Sequence, residues 1–234
     1  AELPGHLHPY WKVREKLTLL DGVPTMEDRI IIPARLRQEV METLHSAHQG
    51  VTSMALRAAQ IVYWPGFWSD IEQARRGCRT CDKMAPSQPN LPPVQDEEKI
   101  EYPFQHICMD HMTLNNSTYG VYVDRYSGWP GIYQGDAGED VIDILGTICE
   151  TYGVPETVTT DGGKNYTSKK VEQFMKDFGI RHRVSSVANP HANTRAELGV
   201  KTVKRLLKDN LTNTGTVDKR KLNRALLQYR NTPD

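Results

Sequence analysis

Apolar and polar positions along this chain change period several times, and each change predicts an element. Residues 12–20 and 29–32 read as two short strands joined around Asp21-Gly22, with Pro33 closing the second. Helical spacing follows. Leu36, Val40 and Leu44 recur every four residues and Met41 widens the stripe, which predicts a helix over 35–48 with His45 and His48 near its end. Two more short helices are expected at 53–60 and 69–77. Between them lies the aromatic run Tyr63-Trp64-Pro65-Gly66-Phe67-Trp68, whose rings would knit the three helices together.

From Pro86 to Glu101 the periodicity stops. Pro86, Pro89, Pro92 and Pro93, followed by Asp96-Glu97-Glu98, read as an extended linker. Beyond it, strands are expected at 105–113, 119–126, 130–134, 157–161 and 180–186, and helices at 139–152, 168–178, 195–213 and 218–230. Val141, Ile142, Leu145, Ile148, Cys149 and Tyr152 form one helical stripe, and Val171, Phe174, Met175 and Phe178 form another. Three strands followed by alternating helices and strands imply an α/β domain, a mixed sheet with helices on its faces. The expected plan is a hairpin extension (1–32), a small helical domain (33–85), a linker (86–102) and a core (103–234).

Composition, 38% apolar and 25% charged, is that of a soluble globular protein, and every apolar run is soon broken by charge. The opening Ala1-Glu-Leu-Pro4 lacks the features of a signal peptide, so an intracellular protein with no membrane role is expected. Basic and acidic residues, 29 of each, cancel over the chain. Their distribution is uneven: between Lys164 and Lys208 eleven Lys or Arg face three acids, a local excess of eight. One strongly basic surface on a neutral protein suits a polyanionic partner.

Of the four cysteines, Cys108 and Cys149 sit singly in apolar runs and read as buried thiols, whereas Cys78 and Cys81 form a Cys-x-x-Cys pair. His45 and His48, three apart on the predicted helix, project from nearly the same side. Together the four offer the N and S donors of a closed tetrahedral zinc site. A segment of about fifty residues buries too little to be stable alone, and a structural metal commonly makes up the difference. His6 and His8 precede the strands and read as terminal residues.

Three acids carry the second constellation. Asp110 interrupts the apolar strand Ile107-Cys-Met-Asp-His-Met112, where a lone carboxylate needs a cation or strong donor. Asp161 ends the strand Thr157-Val-Thr-Thr-Asp before Gly162-Gly163, and Glu197 opens a helix thirty-five residues later. Hard oxygen donors without His or Cys suit magnesium or manganese, and two such ions can clamp an in-line phosphoryl displacement. On the last long helix Glu197, Lys201, Lys204 and Lys208 share one face beside the apolar stripe Val200, Val203 and Leu207. DNA phosphates laid along those lysines would pass over the metals.

At this level of detail the chain resembles the integrases of gypsy-type LTR retrotransposons, a branch of the retroviral-type integrases. The likeness is carried by Leu44-His-Ser-Ala-His-Gln-Gly50, Val62-Tyr-Trp-Pro-Gly66, Asp70-Ile71, Cys78-Arg-Thr-Cys81, Met109-Asp-His111, Val123-Asp-Arg-Tyr-Ser-Gly-Trp-Pro130, Thr160-Asp-Gly-Gly163, Asn189-Pro190, Asn193, Arg195-Ala-Glu197 and Leu227-Gln-Tyr-Arg-Asn-Thr-Pro233. The resemblance implies a His-His-Cys-Cys zinc domain before a ribonuclease H-like core that acts, as a homo-oligomer, on double-stranded DNA: the ends of the element and the target. In the family one site trims the 3′ ends and joins them to target DNA. By position Asp110, Asp161 and Glu197 are the catalytic, magnesium- or manganese-binding acids, and His45, His48, Cys78 and Cys81 are the zinc ligands. Candidate DNA contacts are Lys164, Asn193, Arg195, Lys201, Lys204 and Lys208, the nucleus is the expected place of action, and Asp124 has a structural turn role. The chain departs from the family pattern at Thr194, where Gly is usual, and at Lys164-Asn165, where Pro-Glu is usual; it ends at Asp234, ahead of the family's C-terminal domain. Two other readings stand beside an active integrase: a domesticated relative that binds nucleic acid or protein without catalysis, and a plain ribonuclease H-type hydrolase, which leaves the zinc module unexplained.

Overall fold

The structure, a computed structural model, describes residues 4–83, 99–184 and 194–232, with the backbone alone described at 83 and 194–198. The chain divides into two compact units, Ala1–Ser87 with Asn223–Asp234, and Gln88–Leu222.

In the first unit a 3-10 helical stretch, Gly5–Lys16, leads into a four-stranded sheet of order β1-β2-β3-β4: β1 (Leu17–Leu20), β2 (Val23–Met26), β3 (Arg29–Ile31) and β4 (Val62–Tyr63). This corrects the two-strand expectation. Residues 12–16 join the 3-10 stretch, and Asp21-Gly22 turns the chain into a strand, β2, that the sequence reading passed over because Pro24 and Thr25 interrupt its alternation. Helices α1 (Ala34–His45), α2 (Val51–Ile61) and α3 (Phe67–Arg76) follow, with the short α4 (Arg79–Lys83) after them. Their common core contains Met54, Ala55, Trp64 and Ile71, all fully buried. Trp64 keeps its indole N–H satisfied by donating to Asp70 Oδ2 at 2.7 Å, so its ring can sit in the apolar centre without an orphaned donor. Leu36, expected on the core stripe of α1, is 41% exposed.

The second unit is a five-stranded sheet of order β7-β6-β5-β8-β9. Strands β5 (His106–Leu114), β6 (Ser117–Asp124) and β7 (Pro130–Gln134) form an antiparallel meander; β8 (Thr157–Thr160) and β9 (Arg181–Val184) add in parallel on the far side of β5. Alternation along β5 decides what each face packs against. Ile107 and Met109 enter a core with Val141, Leu145 and Ile148 of α5 (Gly138–Tyr152) and Val171 and Met175 of α6 (Lys169–Asp177). Cys108 and Asp110 look the other way, toward α7 (Thr194–Asp209), whose Val200, Val203, Leu206 and Leu207 are buried. Gly199 is where α7 comes closest, since a Cβ there would press on Val123 of β6. Helix α8 (Lys219–Arg230) completes the chain, and its residues from Asn223 onward group with the first unit.

Local chemistry explains the element ends. Ser168 caps α6 by accepting from Val171 N, Asp140 accepts from Ala137 N at the start of α5, and Gly153, at φ 94°, stops α5. Asp124 is fully buried and accepts from the backbone N–H groups of Phe104, Tyr126 and Ser127, which makes it the organiser of the β6–β7 turn. Cys108 is buried as expected, while Cys149 is only partly so. No helix among the described residues is long and apolar enough to cross a membrane.

Leu145 is fully buried at the centre of the α5 face. Leu145→Ala is expected to lower the stability of the second unit by about 2–5 kcal/mol, read as a drop in the denaturation midpoint with the slope unchanged.

Candidate metal centres

Four side chains converge in the first unit. His45 is the last residue of α1; His48 lies beyond the helix with φ 49°, so the expectation that both histidines ride one helix is corrected. The left-handed residue turns the chain back and brings the second imidazole beside the first, ring centroids 4.9 Å apart and planes at 82°. Cys78 immediately precedes α4 and Cys81 lies within it. Cys81 Sγ lies 3.4 Å from His45 Nε2 and 3.5 Å from His48 Nδ1, and Cys78 Sγ lies 3.5 Å from His48 Nδ1. Zn–S and Zn–N bonds of ordinary length at a tetrahedral angle give an N···S edge of about 3.6 Å. The four donors all fall within 4.8 Å of one another, a grouping of N and S atoms that could hold a zinc ion. The nitrogens turned toward the thiols are His45 Nε2, its Nδ1 facing Met54 Sδ at 3.4 Å, and His48 Nδ1, and these are the atoms through which the two imidazoles would hold an ion. Burial, then the Arg75 charge, lowers the His45 pKa and favours the neutral imidazole that a metal requires. Arg75 also donates to the Cys81 carbonyl and to Asp82 Oδ1, bracing the cysteine turn from outside. His6 and His8 take no part.

The second centre is built by strand register. β5 and β8 run parallel with Cys108 opposite Thr159; β8 ends at Thr160, so Asp161 is the first residue past the strand, and two steps on from that pair the register leads to Asp110 on β5 and Asp161 beyond the end of β8. Carboxylates brought to one end of the sheet in this way could share a cation. Below them His106 Nε2 and Thr159 Oγ1, 2.7 Å apart, cross-link the two strands on that face. Lys204 of α7 donates to Asp110 Oδ2 at 2.6 Å, an ammonium standing where the acid constellation calls for a cation. That contact, with the all-oxygen donor set, is what a magnesium or manganese site fits. Asp161 is exposed and its Oδ1 accepts from Gly163 N at 3.1 Å. A side chain at Gly163 would collide with both Asp161 Oδ1 and Asn165 Oδ1, which explains a glycine there.

Glu197 belongs by its backbone to the first turn of α7; its side chain and that of Arg195 lie outside the described residues, as does Asn193 entirely. Lys201 and Lys208 are exposed on α7 and Lys164 is exposed on the loop after β8, whereas Lys204, placed with them in the sequence, is partly buried on Asp110.

One participant was named in a motif but given no role. His111, next to Asp110 on β5, points to the opposite face. Its Nδ1 lies 2.6 Å from Asn165 Nδ2 and its Nε2 lies 2.9 Å from the Tyr133 hydroxyl, while its ring packs on Tyr166 at 4.7 Å. Burial lowers its pKa, against the raising influence of the Asp110, Asp161 and Asp136 charges. The signal in the sequence was a polar residue at a core-facing position of an apolar strand.

A module of two imidazoles and two thiolates thus precedes a five-stranded mixed sheet that carries Asp110 within β5 and Asp161 just past the end of β8. The integrase zinc binding domain family matches residues 32–87, and the integrase core domain family matches residues 101–190. The chain belongs to the retroviral-type integrases. An uncharacterized protein of Caenorhabditis elegans is 32% identical over 231 residues, 97% of this chain and 18% of the worm protein. The Pro-Pol polyprotein of simian foamy virus type 3 is 25% identical over 186 residues, 76% of this chain and 16% of the polyprotein. The chain thus spans less than a fifth of either relative. Among solved structures, a chain of the simian T-cell lymphotropic virus intasome in complex with PP2A regulatory subunit B56 gamma aligns over 80% of this chain and 66% of its own, at 22% identity and a TM-score of 0.48.

Zinc removal is expected to melt the first unit while the five-stranded sheet persists. Chelation, or Cys81→Ser, should abolish stoichiometric zinc in a metal analysis and reduce helical circular dichroism; full helicity without zinc would contradict the site.

Proposed function

We propose that the chain is the zinc-binding and catalytic portion of a DNA strand transferase of the gypsy-type retrotransposon kind, trimming 3′ ends of element DNA and joining them to a target. The observation that supports this reading is the Lys204 ammonium seated on Asp110, at the end of the sheet toward which the parallel β5–β8 register leads Asp161, in a chain that also holds an integrase-type zinc module. Magnesium or manganese, when bound, supplies Lewis-acid stabilisation of the phosphoryl group and lowers the pKa of an attacking hydroxyl. Asp110 from β5 and Asp161 from just past the end of β8 would hold the metal, and Glu197, in the first turn of α7, would be the third acid of the set. Lys201 and Lys208 neutralise phosphates along that helix, Lys164 does so from the loop after β8, and Asn193 and Arg195 add contacts just before and within the start of α7. Lys204 sits where acid and phosphate meet, so it serves the reacting strand rather than distant backbone. The working form is a homo-oligomer on double-stranded DNA, acting in the nucleus.

The test is joining of duplex oligonucleotides bearing the source element's terminal sequence to plasmid DNA, with magnesium or manganese as the only divalent ion beside bound zinc. Asp110→Asn, Asp161→Asn and Glu197→Gln should each lower turnover by more than about 100-fold with the melting temperature retained. Lys201→Ala and Lys208→Ala should weaken DNA binding evenly across sequences, each reducing the slope of log affinity against log salt by about one. Salt-sensitive binding with no joined product in either metal would instead identify a binding protein that keeps the fold.

A further inference from the structure

The loop from Asp161 to Tyr166 crosses the carboxyl end of β8, an inner strand of the sheet. It starts on the α7 face with the Asp161 carboxylate and ends on the α5–α6 face with Tyr166 fully buried. β8 stops at Thr160, so ladder bonds to β5 no longer hold the chain at the residue that carries the second acid. What holds it on the far face is His111. The Asn165 amide N–H donates to His111 Nδ1, which leaves the ring proton on Nε2 to be donated to the Tyr133 hydroxyl. Register makes the second bond possible. His111, Gly120 and Tyr133 form one row across β5, β6 and β7, and the phenol ring lies over Gly120, where a Cβ would fall inside it.

We propose that His111 is a positioning residue for the acidic centre: through Nδ1 it pins the Asp161–Tyr166 loop to β5 and so sets the separation of Asp161 from Asp110. The proposal rests on the metal-binding reading of those two acids. Asn165 fits this role better than the Glu usual in the family, because an amide donates to a neutral imidazole nitrogen and a carboxylate cannot. The departure and the neighbouring histidine are then one feature. Tyr133 and Tyr166 keep the ring plane fixed, one by hydrogen bond and one by packing.

Two isosteres separate positioning from packing. His111→Asn keeps an acceptor at the Nδ1 position and loses the link to Tyr133; His111→Gln keeps a donor at the Nε2 position and loses the link to Asn165. Asn165→Ala removes the same bond from the loop side and lies outside the sheet, so it reports even where a β5 variant folds poorly. The full zinc-loaded chain would be titrated with manganese alone, followed by water-proton relaxation, and amide hydrogen exchange of Gly162–Tyr166 would be measured without the ion. His111→Gln and Asn165→Ala should speed exchange of the loop and weaken manganese binding by about 10–100-fold. His111→Asn should stay within about threefold of the native chain, and the double variant His111→Gln/Asn165→Ala should be no worse than either single one. Loop exchange unchanged in both disrupting variants, or equal losses in His111→Asn and His111→Gln, would overturn the proposal. Asp161→Asn is the control that tells the two readings apart: if it leaves manganese binding intact, the metal reading fails, while the exchange result still decides the role of His111.

Discussion

Two carboxylates brought to one end of the sheet, Asp110 within β5 and Asp161 just past the end of β8, are the constraint around which the second unit is organised. Like charges so placed repel one another, the more so the less solvent screens them. A fold that retains such a pair needs a cation beside it and a backbone stiff enough to resist spreading. The stiffness comes from parallel β5–β8 pairing and from the His106–Thr159 rung beneath the carboxylates. The cation comes from α7, whose packing against β5 and β6 through Val200, Val203 and Leu207 delivers the Lys204 ammonium to Asp110. Even the close approach of that helix is written in one residue, Gly199 over Val123.

The first unit solves a different problem with a different cation. Its core of Met54, Ala55, Trp64 and Ile71 is well buried but small. In domains of this size the entropy of ordering the chain nearly matches what burial returns. Four donors poised at N···S distances of 3.4–3.5 Å add a coordination term that a few more leucines would not fit. Zinc chemistry also explains why α1 ends where it does: continued helix would carry His48 away from the thiolates, and the left-handed turn at φ 49° returns it.

Much of this was legible along the chain. The stripes of α5 and α6, the meander β5–β7 and all four zinc donors lie within a few residues of where hydrophobic period and donor spacing put them. What failed was local and has local causes. The β2 and β4 strands lie outside the expectation because a strand of two to four residues with proline or aromatic interruptions carries no period of its own; β2 is held by the hairpins on either side of it, and β4 by a strand distant in sequence, as Val62 by Ile30. His48 was put on the helix because spacing of three satisfies both a helical face and a turn. Lys204 was grouped with its neighbours on a phosphate-binding row, since helical geometry gives the face but not which head group has an acid within reach. His111 was invisible as a contact because its partners, Tyr133 and Asn165, are brought to it by register and by a loop, neither of which leaves a mark in local sequence.

A protein with no net charge can nonetheless be directed at DNA, because the field that a phosphate feels is local. At physiological salt the Debye length is about 8 Å, roughly the rise of five or six helical residues. Twenty-nine acids spread over the chain therefore do not cancel lysines that share one face of one helix. Lys201 and Lys208 are exposed on α7, and the row they define begins with Glu197 and passes Asp110 through Lys204. Under the proposed function, basic and acidic groups on that helix would not be competing features but consecutive parts of one path: exposed lysines able to meet a phosphate backbone, then a lysine already seated on a carboxylate, then the acids that would hold a divalent ion. The same helix supplies the buried stripe against β5 and β6, so core packing and the spacing of those lysines are set by a single element.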